Sequence, residues 1–323
     1  MKITLAPSFL VMTFVFFGSL SVQADDSSTS NIQSTAQNSL AFKPAGPGLF
    51  DFNTGKLSGR LKFDGKRQGV ATVVDVESGQ VLTKVVGVFS PYRVFSTNRR
   101  YGNAARDWPT TSKLLADGAV EVHWPAAKEH PLEMTAVYRW SAADTLDLQI
   151  TVRPERDMPD FEMFLSSYFG DNFRAAMYVI PAKDAGGKPA FVAADPRPRS
   201  KSGYAIFPRD ASSEKMILDG RWKIPPSPVA WDIERRLAAP LAVRRDKATG
   251  ITAAMMARPQ DCFAISCRWN LDKNESGYRS LYMSLFGRDL KADQAATADC
   301  RLIIGKNLSD ADVILRYQEY IKH

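Results

Sequence analysis

The sequence predicts an all-β protein built as a large antiparallel sandwich, with one short helix at the C-terminal end. From Phe42 onward, apolar and polar residues alternate with period two over short runs, and helical periodicity is almost absent. About ten such runs are separated by turn residues at intervals of roughly eight to fifteen positions. Because no helical patterns lie between the runs, a parallel α/β sheet is disfavoured.

The composition fits a globular chain with a sizeable core and a mildly basic surface. Of 323 residues, 45% are hydrophobic and 24% are charged, which is ample material for a sandwich core. The formal net charge is +7, and it is dispersed without a dense basic run. This pattern disfavours nucleic acid as a partner and remains compatible with anionic ligands.

Residues 1–24 have the pattern of a secretory signal peptide. Lys2 precedes an apolar run from Leu10 to Leu20. The pattern ends in Val22-Gln23-Ala24 before Asp25-Asp26, and Ala24 is predicted to be the last residue removed. The run is too short for a membrane span, and no later run approaches eighteen apolar residues, so no span is expected after signal removal. We therefore expect an exported protein, either periplasmic or secreted. The sequence does not indicate its oligomeric state.

The rest of the chain is predicted to form one domain after a short leader. Residues 25–41 are rich in Ser, Thr and Gln without an apolar period, which predicts a flexible leader. Residues 42–323 are predicted to form a single sandwich domain. The Gly- and Pro-rich segment Pro181–Pro198 is interpreted as a long surface loop, because strand patterning resumes after it without a change in composition.

The strands follow the alternation along the chain. The clearest pattern is the hairpin Leu132–Val152, whose two arms alternate around the polar loop SAADT. The last dozen residues, after Ser309, carry the capped pattern of a helix. Further strands are predicted at Gly69–Val76, Val81–Phe89, Ala119–Trp124, Phe161–Phe169, Met177–Ile180, Pro240–Arg244, Gly250–Ala257, Leu281–Phe286 and Asp299–Ile304.

The cysteines do not indicate a metal site. Three are present, and Cys262 and Cys267 are close enough in sequence to bridge across a tight hairpin, although pairing with Cys300 stays open. Their spacing matches no zinc motif, and the chain has only 3 histidines. No metal and no cofactor are predicted.

The segment Pro91–Pro109, PYRVFSTNRRYGNAARDWP, is too polar for a core strand and too aromatic for an ordinary solvent loop. Arginine forks suit carboxylates and phosphates, asparagine suits hydroxyls, and flat rings suit the apolar faces of sugars or bases. Salt bridges across strands are the alternative role for these arginines. The segment supplies five predicted substrate-binding residues, Arg93, Asn98, Arg99, Arg100 and Trp108.

Two further segments supply candidate site residues. In the strand DFEMFLSSYF, Glu162 and Tyr168 share one face and would present a carboxylate and a phenol to a groove, unless Glu162 only pairs with an arginine. The proline-rich segment LDGRWKIPPSPVAWDIE combines tryptophans with Asp/Arg pairs, a combination that suits pyranose rings and their polar groups, unless the tryptophans only plug the sandwich edge. Its predicted binding residues are Asp219, Arg221, Trp222 and Trp231.

Two regions resemble the galactose mutarotase-like superfamily. The run Glu129–Phe169 is similar to its central block, in which a third strand ends in H-x-Y-F, and Ser280–Gly305 is similar to its closing strand pair. Upstream, Ser96–Gly102 (STNRRYG) is similar to the arginine segment of aldose epimerases. The resemblance implies a β-supersandwich with a concave, sugar-binding face.

The chain departs from that family at the catalytic histidines. The position equivalent to the histidine of H-x-Y-F is Ser166, which cannot protonate a sugar ring at neutral pH. The family's second histidine has no counterpart either, because His123 and His130 lie in other contexts, the first on a predicted solvent face and the second in a turn. Ordinary epimerase activity is therefore not expected.

The combined pattern predicts an exported carbohydrate-binding protein whose saccharide is acidic. If the protein is an enzyme, proton abstraction or β-elimination on a uronic acid is the most economical chemistry, with Tyr101 or Tyr168 moving the proton and Glu162 as a third catalytic candidate. The alternatives are a non-catalytic carbohydrate-binding module and an envelope protein that contacts anionic polymers without a defined pocket.

Overall fold

A computed structural model describes residues 39–84, 86–181, 187–271 and 278–322. The predicted signal peptide and nearly all of the predicted leader therefore lie outside the described residues. The exception is the end of the leader, residues 39–41, which already belongs to the first strand.

Strands dominate the described part of the chain. The strands are β1 (Ser39–Gly46), β2 (Leu49–Asn53), β3 (Leu57–Lys62), β4 (Gly69–Asp75), β5 (Ser90–Ser96), β6 (Arg99–Tyr101), β7 (Thr111–Leu114), β8 (Val120–Trp124), β9 (Leu132–Ala142), β10 (Thr145–Pro154), β11 (Met158–Phe169), β12 (Phe173–Val179), β13 (Ala190–Ala193), β14 (Tyr204–Pro208), β15 (Asp232–Ile233), β16 (Leu237–Asp246), β17 (Ile251–Ala257), β18 (Cys262–Arg268), β19 (Arg279–Leu290) and β20 (Ala296–Lys306). The helices are α1 (Ala211–Ile217) and α2 (Asp310–Tyr320), with short 3₁₀ turns at Ala105–Asp107 and Arg221–Lys223.

The strands form three sheets. A nine-stranded sheet has the order β13-β12-β16-β17-β20-β10-β9-β8-β7, and a seven-stranded sheet has the order β15-β14-β18-β19-β11-β5-β6. A four-stranded meander, β1-β2-β3-β4, completes the described strands. Every strand pairing that the sheets use is antiparallel except β14 with β15, so the predicted antiparallel all-β architecture is confirmed.

The main core lies between the two large sheets. Alternate residues of the predicted hairpin, such as Leu148 and Ile150 of β10, are fully buried in one cluster with Met163 and Leu165 of β11. The period-two pattern therefore gives each large sheet one apolar face, and these two faces pack against each other as in other sandwiches. The four-stranded meander joins this cluster through Phe52, whose ring centroid lies 4.7 Å from that of Trp140.

Each large sheet is also covered on its outer face. Helix α2, with a capping box between Ser309 and Asp312, packs Val313 and Tyr317 on the nine-stranded sheet, so the predicted C-terminal helix is confirmed. On the seven-stranded sheet, Phe164 and Tyr282 lie beneath the segment that follows α1. Among the described residues, neither helix has the length and apolar character needed to cross a bilayer.

The prediction of a strand at Val81–Phe89 is wrong. This stretch makes only isolated pairs, and the continuous strand is β5. This strand begins at Ser90 and continues into the segment Pro91–Pro109, which was predicted to be too polar for a core strand. The backbone turns at Gly87, where φ is +78° and a Cβ would lie 1.8 Å from the Val70 carbonyl oxygen, so this position requires glycine.

The cysteines do not pair as a hairpin. Cys262 and Cys267 lie at opposite ends of one strand, β18, and five residues of strand span about 15 Å, more than twice the separation that a disulfide allows. Both thiols and that of Cys300 are free and buried. Burial raises the pKa of the Cys262 thiol to about 12, so this residue behaves as a core side chain.

Candidate functional site

An aromatic cavity of about 200 Å³ lies on the outer face of the seven-stranded sheet. Its floor comes from β5, β11, β14 and β19, and its roof comes from residues 218–233, which we call the cover segment. The lining residues are Tyr92, Arg93, Phe164, Tyr168, Tyr204, Trp222, Ser227, Pro228, Val229, Trp231, Tyr278 and Tyr282.

A β-bulge in β5 brings two neighbouring side chains to this cavity. Phe164 of β11 pairs with Arg93 and the next residue, Leu165, pairs with Pro91, so Tyr92 is an extra residue without a partner position. Neighbouring residues of a regular strand face opposite sides, and the bulge removes that alternation here. Tyr92 and Arg93 therefore both line the cavity.

The cover segment is anchored by a buried arginine. Arg221 donates from Nη1 to Glu162 Oε2 at 3.0 Å and from Nη2 to Asp219 Oδ2 at 3.0 Å, and a further hydrogen bond reaches the carbonyl of Asp160. The side chains of Arg221 and Glu162 are 0% and 1% exposed. Asp219 also accepts a hydrogen bond from the Asn98 backbone N–H, which ties the segment to the β5–β6 turn.

Burial governs the charge of Glu162. Its pKa is raised because the carboxylate is fully desolvated, and the neighbouring positive charge of Arg221 opposes this rise only in part. The group is therefore a structural partner of Arg221 beneath the cover segment, and it does not line the cavity. This geometry matches the ion pair that the sequence left open as the alternative role of Glu162.

Two tryptophans form the apolar part of the roof. The Trp222 ring packs edge-on against Phe164 at 4.7 Å and against Trp231 at 4.9 Å. Trp231 meets Tyr204 at 5.8 Å on the far side of the cavity. The tryptophans thus cover the outer face of the seven-stranded sheet and present ring surface to the cavity.

Three arginines surround the Tyr92 ring. The guanidinium carbon of Arg106 lies 4.2 Å from the ring centroid of Tyr92, and that of Arg93 lies 5.0 Å from it. Arg93 donates to the Tyr92 hydroxyl at 3.4 Å and to the Ser227 carbonyl at 2.8 Å. Arg100 donates to the neighbouring Pro226 carbonyl at 2.5 Å.

These positive charges alter the ionisation of the cluster. Burial alone would raise the pKa of Tyr92, but the hydrogen bond from Arg93 and the charges of Arg93, Arg106 and Arg100 outweigh it and lower that pKa. Burial, assisted by the repulsion from Arg93, lowers the pKa of Arg100. Within the described ranges, none of the three arginines forms an ion pair with a carboxylate, so the cluster has a net positive charge.

The cavity walls hold buried hydrogen-bond donors without partners. Arg93 is 3% exposed, yet its Nε and Nη1 lack any hydrogen-bond partner, and the indole nitrogens of Trp222 and Trp231 are in the same state. Arg100 Nε and Arg106 Nε behind them are also unsatisfied. A ligand rich in acceptor oxygens could satisfy these donors.

Another depression of the described surface differs from the cavity in its charged residues. It has a volume of about 340 Å³ and is lined by residues of the nine-stranded sheet and by Tyr320. Its charged residues already form pairs, Arg301 with Asp147 at 2.5 Å and Arg258 with Asp299 at 3.3 Å. A site whose charges are satisfied within the protein offers little to an anionic ligand.

The structure brings together seven of the twelve predicted site residues. Four of them line the cavity, Arg93, Tyr168, Trp222 and Trp231. Arg100 contacts the cover segment at Pro226, and Arg221 with Asp219 anchors the same segment. These seven residues are therefore placed for binding or for positioning the cavity roof.

The other five predicted residues lie elsewhere. Glu162 lies beneath the roof, and Asn98 contributes its backbone N–H to Asp219. Arg99 is exposed on β6, where its guanidinium lies 5.2 Å from the ring centroid of Tyr101. The Tyr101 hydroxyl donates to Ser96 inside the core. Trp108 is buried against the ring of a histidine, His130, at 3.7 Å.

Ser166 lies on the same strand as Phe164 and Tyr168. Its hydroxyl donates to the Ser90 carbonyl at 3.0 Å and the residue is fully buried. The histidines are also remote from the cavity lining, since His123 contacts Glu133 at 2.6 Å on the nine-stranded sheet. Proton transfer in this cavity would therefore require another side chain.

Sequence reasoning missed Tyr92 and Arg106, which both lie inside the segment Pro91–Pro109. A proline within an alternating strand pattern is a signal for a bulge, and Pro91 supplies that signal. Tyr204, Tyr278 and Tyr282 had no comparable signal, because β14 and β19 reach the cavity only through long-range pairing. Among the described residues, no group of three or more His, Cys, Asp or Glu side chains is arranged to hold a metal ion.

Comparison with known proteins supplies a likeness of fold. No protein-family model matches the chain, and no curated protein sequence matches it. A TPR-domain containing protein from Parabacteroides distasonis has a TM-score of 0.50 at 9% identity, over 81% of this chain and 48% of that one. The galactose mutarotase related enzyme from Lactobacillus acidophilus has a TM-score of 0.49 at 9% identity, over 81% of this chain and 99% of that one.

A putative aldose 1-epimerase from Escherichia coli K12 is similar at a TM-score of 0.47 and 11% identity, over 81% of this chain and 100% of that one. The described chain is an antiparallel β-sandwich, the architecture that its sequence predicts. Identities this low describe a fold, and one fold hosts several chemistries. The function of the chain must therefore be argued from its cavity.

Proposed function

We propose that this protein binds an acidic saccharide in the aromatic cavity, with the anionic group of the sugar held by Arg93. The observation that carries the proposal is the set of buried, unpartnered donors on Arg93, Trp222 and Trp231, in a cluster without a compensating carboxylate. A carboxylate or sulfate would accept from these donors and neutralise the excess positive charge.

The aromatic lining supports a sugar over a small inorganic anion. The indole rings of Trp222 and Trp231 and the ring of Phe164 offer apolar surface of the kind that packs against the C–H face of a pyranose. The cavity of about 200 Å³ is smaller than the roughly 300–1,000 Å³ of sites for drug-sized ligands. We therefore propose that a single sugar ring occupies it, either free or at the end of a chain.

Calorimetric binding to three matched probes tests this proposal. Methyl glucuronide and the 6-sulfate of methyl glucoside carry the charge, and methyl glucoside carries none. We expect at least one charged probe to bind about 10- to 100-fold more tightly than the neutral one, because charge-assisted hydrogen bonds are worth about 1.5–3 kcal/mol. Which charged probe binds better distinguishes a carboxylate site from a sulfate site.

The salt dependence separates a built site from a basic surface. Binding in a buried cavity is expected to persist in about 1 M salt, where the Debye length is about 3 Å. Equal affinity for neutral and charged probes would contradict the proposal. Binding of anionic polymers that disappears at high salt, without binding of either charged monosaccharide, would instead support an envelope protein that contacts polymers through its surface.

We also propose that the protein acts outside the cytoplasm, on the basis of the signal-peptide pattern in residues 1–24. Expression of the whole chain in a Gram-negative host should release a product that begins at Asp25 into the periplasmic or culture fraction. Mass spectrometry of the intact product checks this cleavage. A chain that retains Met1 and stays with the cytoplasmic fraction would contradict export.

A further inference from the structure

We propose that Tyr92 is an acid–base residue that removes the proton from the carbon next to the carboxylate of a bound uronic acid. This inference rests on the proposed binding of an acidic sugar in the cavity and assigns a reaction class to it. The likeness of fold does not assign this role to Tyr92. The position of the residue follows from the bulge in β5 of this chain.

Geometry places the phenol beside the group that would hold the carboxylate. Tyr92 and Arg93 are consecutive and both line the cavity because of the bulge, and Arg93 Nη2 donates to the Tyr92 hydroxyl at 3.4 Å. The proposal requires that a carboxylate accepting from one of the free nitrogens of Arg93, Nε or Nη1, present its α-carbon to the Tyr92 oxygen. Bulges recur beside active sites for this re-aiming of side chains.

The charges around Tyr92 favour its phenolate. Arg93 on β5, Arg100 on β6 and Arg106 in the following 3₁₀ turn all face the residue, and together they lower its pKa despite burial. A phenolate base titrating nearer to neutrality is a better match for proton abstraction at ordinary pH.

The other titratable groups around the cavity are phenols. Tyr168 of β11 receives a hydrogen bond from Arg106 at 3.4 Å, and Tyr278 and Tyr282 belong to the opposite wall. Burial raises the pKa values of Tyr278 and Tyr282, so these two remain protonated where Tyr92 ionises. No carboxylate lines the described cavity, so the candidate bases there are phenols, including Tyr168 and Tyr204.

The chemical step balances without any further reactant. The Tyr92 phenolate takes the α-proton, and the C–H electron pair is delocalised into the carboxylate, where Arg93 neutralises the added charge. Return of the proton from the phenol to the same face of the carbon restores the uronate. Where the neighbouring carbon carries a glycosidic oxygen, the C–O bond breaks, a C=C bond forms, and the departing oxygen takes the proton from Tyr92.

Hydrogen exchange from solvent detects this step whichever product follows. The methyl glycosides of glucuronate, galacturonate and mannuronate are incubated with the protein in D₂O, and deuterium at the α-carbon is followed by NMR. We expect exchange with at least one of them, and Tyr92→Phe should slow it by about 100- to 10,000-fold. The dissociation constant of that variant should change by less than about threefold, because the ring stays in place.

A second variant tests the role of the charges. Arg106→Met removes one guanidinium from the Tyr92 ring, so the ascending limb of the exchange rate against pH should move to higher pH. Tyr178→Phe, a matched control on the outer face of the nine-stranded sheet, should leave both binding and exchange unchanged.

The outcomes separate this inference from the proposed function. Binding of a uronate without α-carbon exchange would overturn the inference and leave saccharide binding intact. Exchange that persists fully in Tyr92→Phe would remove Tyr92 from the reaction. Failure of every uronate probe to bind would overturn the proposed function and the inference together.

Discussion

Replacement of Arg93 by methionine should remove most of the affinity for acidic saccharides while leaving the fold as stable as before, or more stable. In the wild type, a buried guanidinium with two free nitrogens packs 5.3 Å from the Trp222 ring. Truncating a buried charge that grips a charged ligand typically costs about 2–5 kcal/mol of binding free energy, which is a loss of about 30-fold to several thousand-fold.

The expected stability follows from the same unpartnered atoms. An arginine that is 3% exposed and incompletely hydrogen-bonded carries a desolvation penalty in the free protein. Methionine keeps much of the apolar stem and removes that penalty, so the midpoint of thermal unfolding should stay the same or rise. Calorimetric titration with methyl glucuronide and a parallel thermal melt measure both effects.

Two other variants sharpen this test. Arg93→Lys keeps a charge but loses the planar fork, and an intermediate affinity is expected. Arg99→Gln is the matched control, because Arg99 is exposed on β6 and does not line the cavity. A loss of affinity in Arg99→Gln as large as that in Arg93→Met would show that general surface charge, and not the cavity, attracts the ligand.

The sequence predicts the part of this molecule that local pattern determines. Alternation over Leu132–Val152 predicts the β9–β10 hairpin, and the Ser309 cap predicts α2, because both signals lie within a few residues of the structures they specify. The strand Val81–Phe89 was predicted wrongly because alternation was followed past Gly87, whose positive φ turns the chain. Long-range pairing overrides local pattern at such positions.

The site was predictable only in part for the same reason. Arg93, Trp222 and Trp231 are residue types that suit sugar recognition wherever they occur in irregular segments, and the structure places them in one cavity. Tyr101 and Trp108 have the same chemistry in the same segment, yet both are buried away from the cavity, Tyr101 against Ser96 and Trp108 against His130. Composition identified the segment, and the bulge in β5 places Tyr92 and Arg93 of that segment in the cavity wall.

Replacement of Arg221 by methionine should destabilise the protein by about 3–5 kcal/mol, because it leaves the Glu162 carboxylate buried without its partner. The cover segment would also lose its hydrogen bonds through Asp219 and Asp160. Chemical denaturation measures the loss in free energy of unfolding. A loss below about 1 kcal/mol would contradict the assignment of Arg221 as the anchor of the roof.

The pH dependence of that variant follows from Glu162. Burial already raises its pKa in the folded wild type, and removal of the Arg221 charge raises it further. The pKa of Glu162 in the folded protein lies above its unfolded value of about 4.3. The stability is therefore fully present below about pH 4.3 and is lost as the pH rises through the folded pKa. The deficit of Arg221→Met relative to wild type should therefore be larger at about pH 8 than at about pH 5.

A double variant completes the cycle and ties stability to function. Arg221→Met with Glu162→Gln removes both charges, so it should be more stable than Arg221→Met alone and should lose the extra pH dependence. If the pair only holds the roof, this double variant should regain stability without regaining full affinity, because Asp219 still lacks its guanidinium and Trp222 is less firmly placed. The free energy of unfolding and the affinity for the saccharide would then respond differently to the changes at Arg221 and Glu162. This is the result expected when a buried pair positions the cavity roof without touching the ligand.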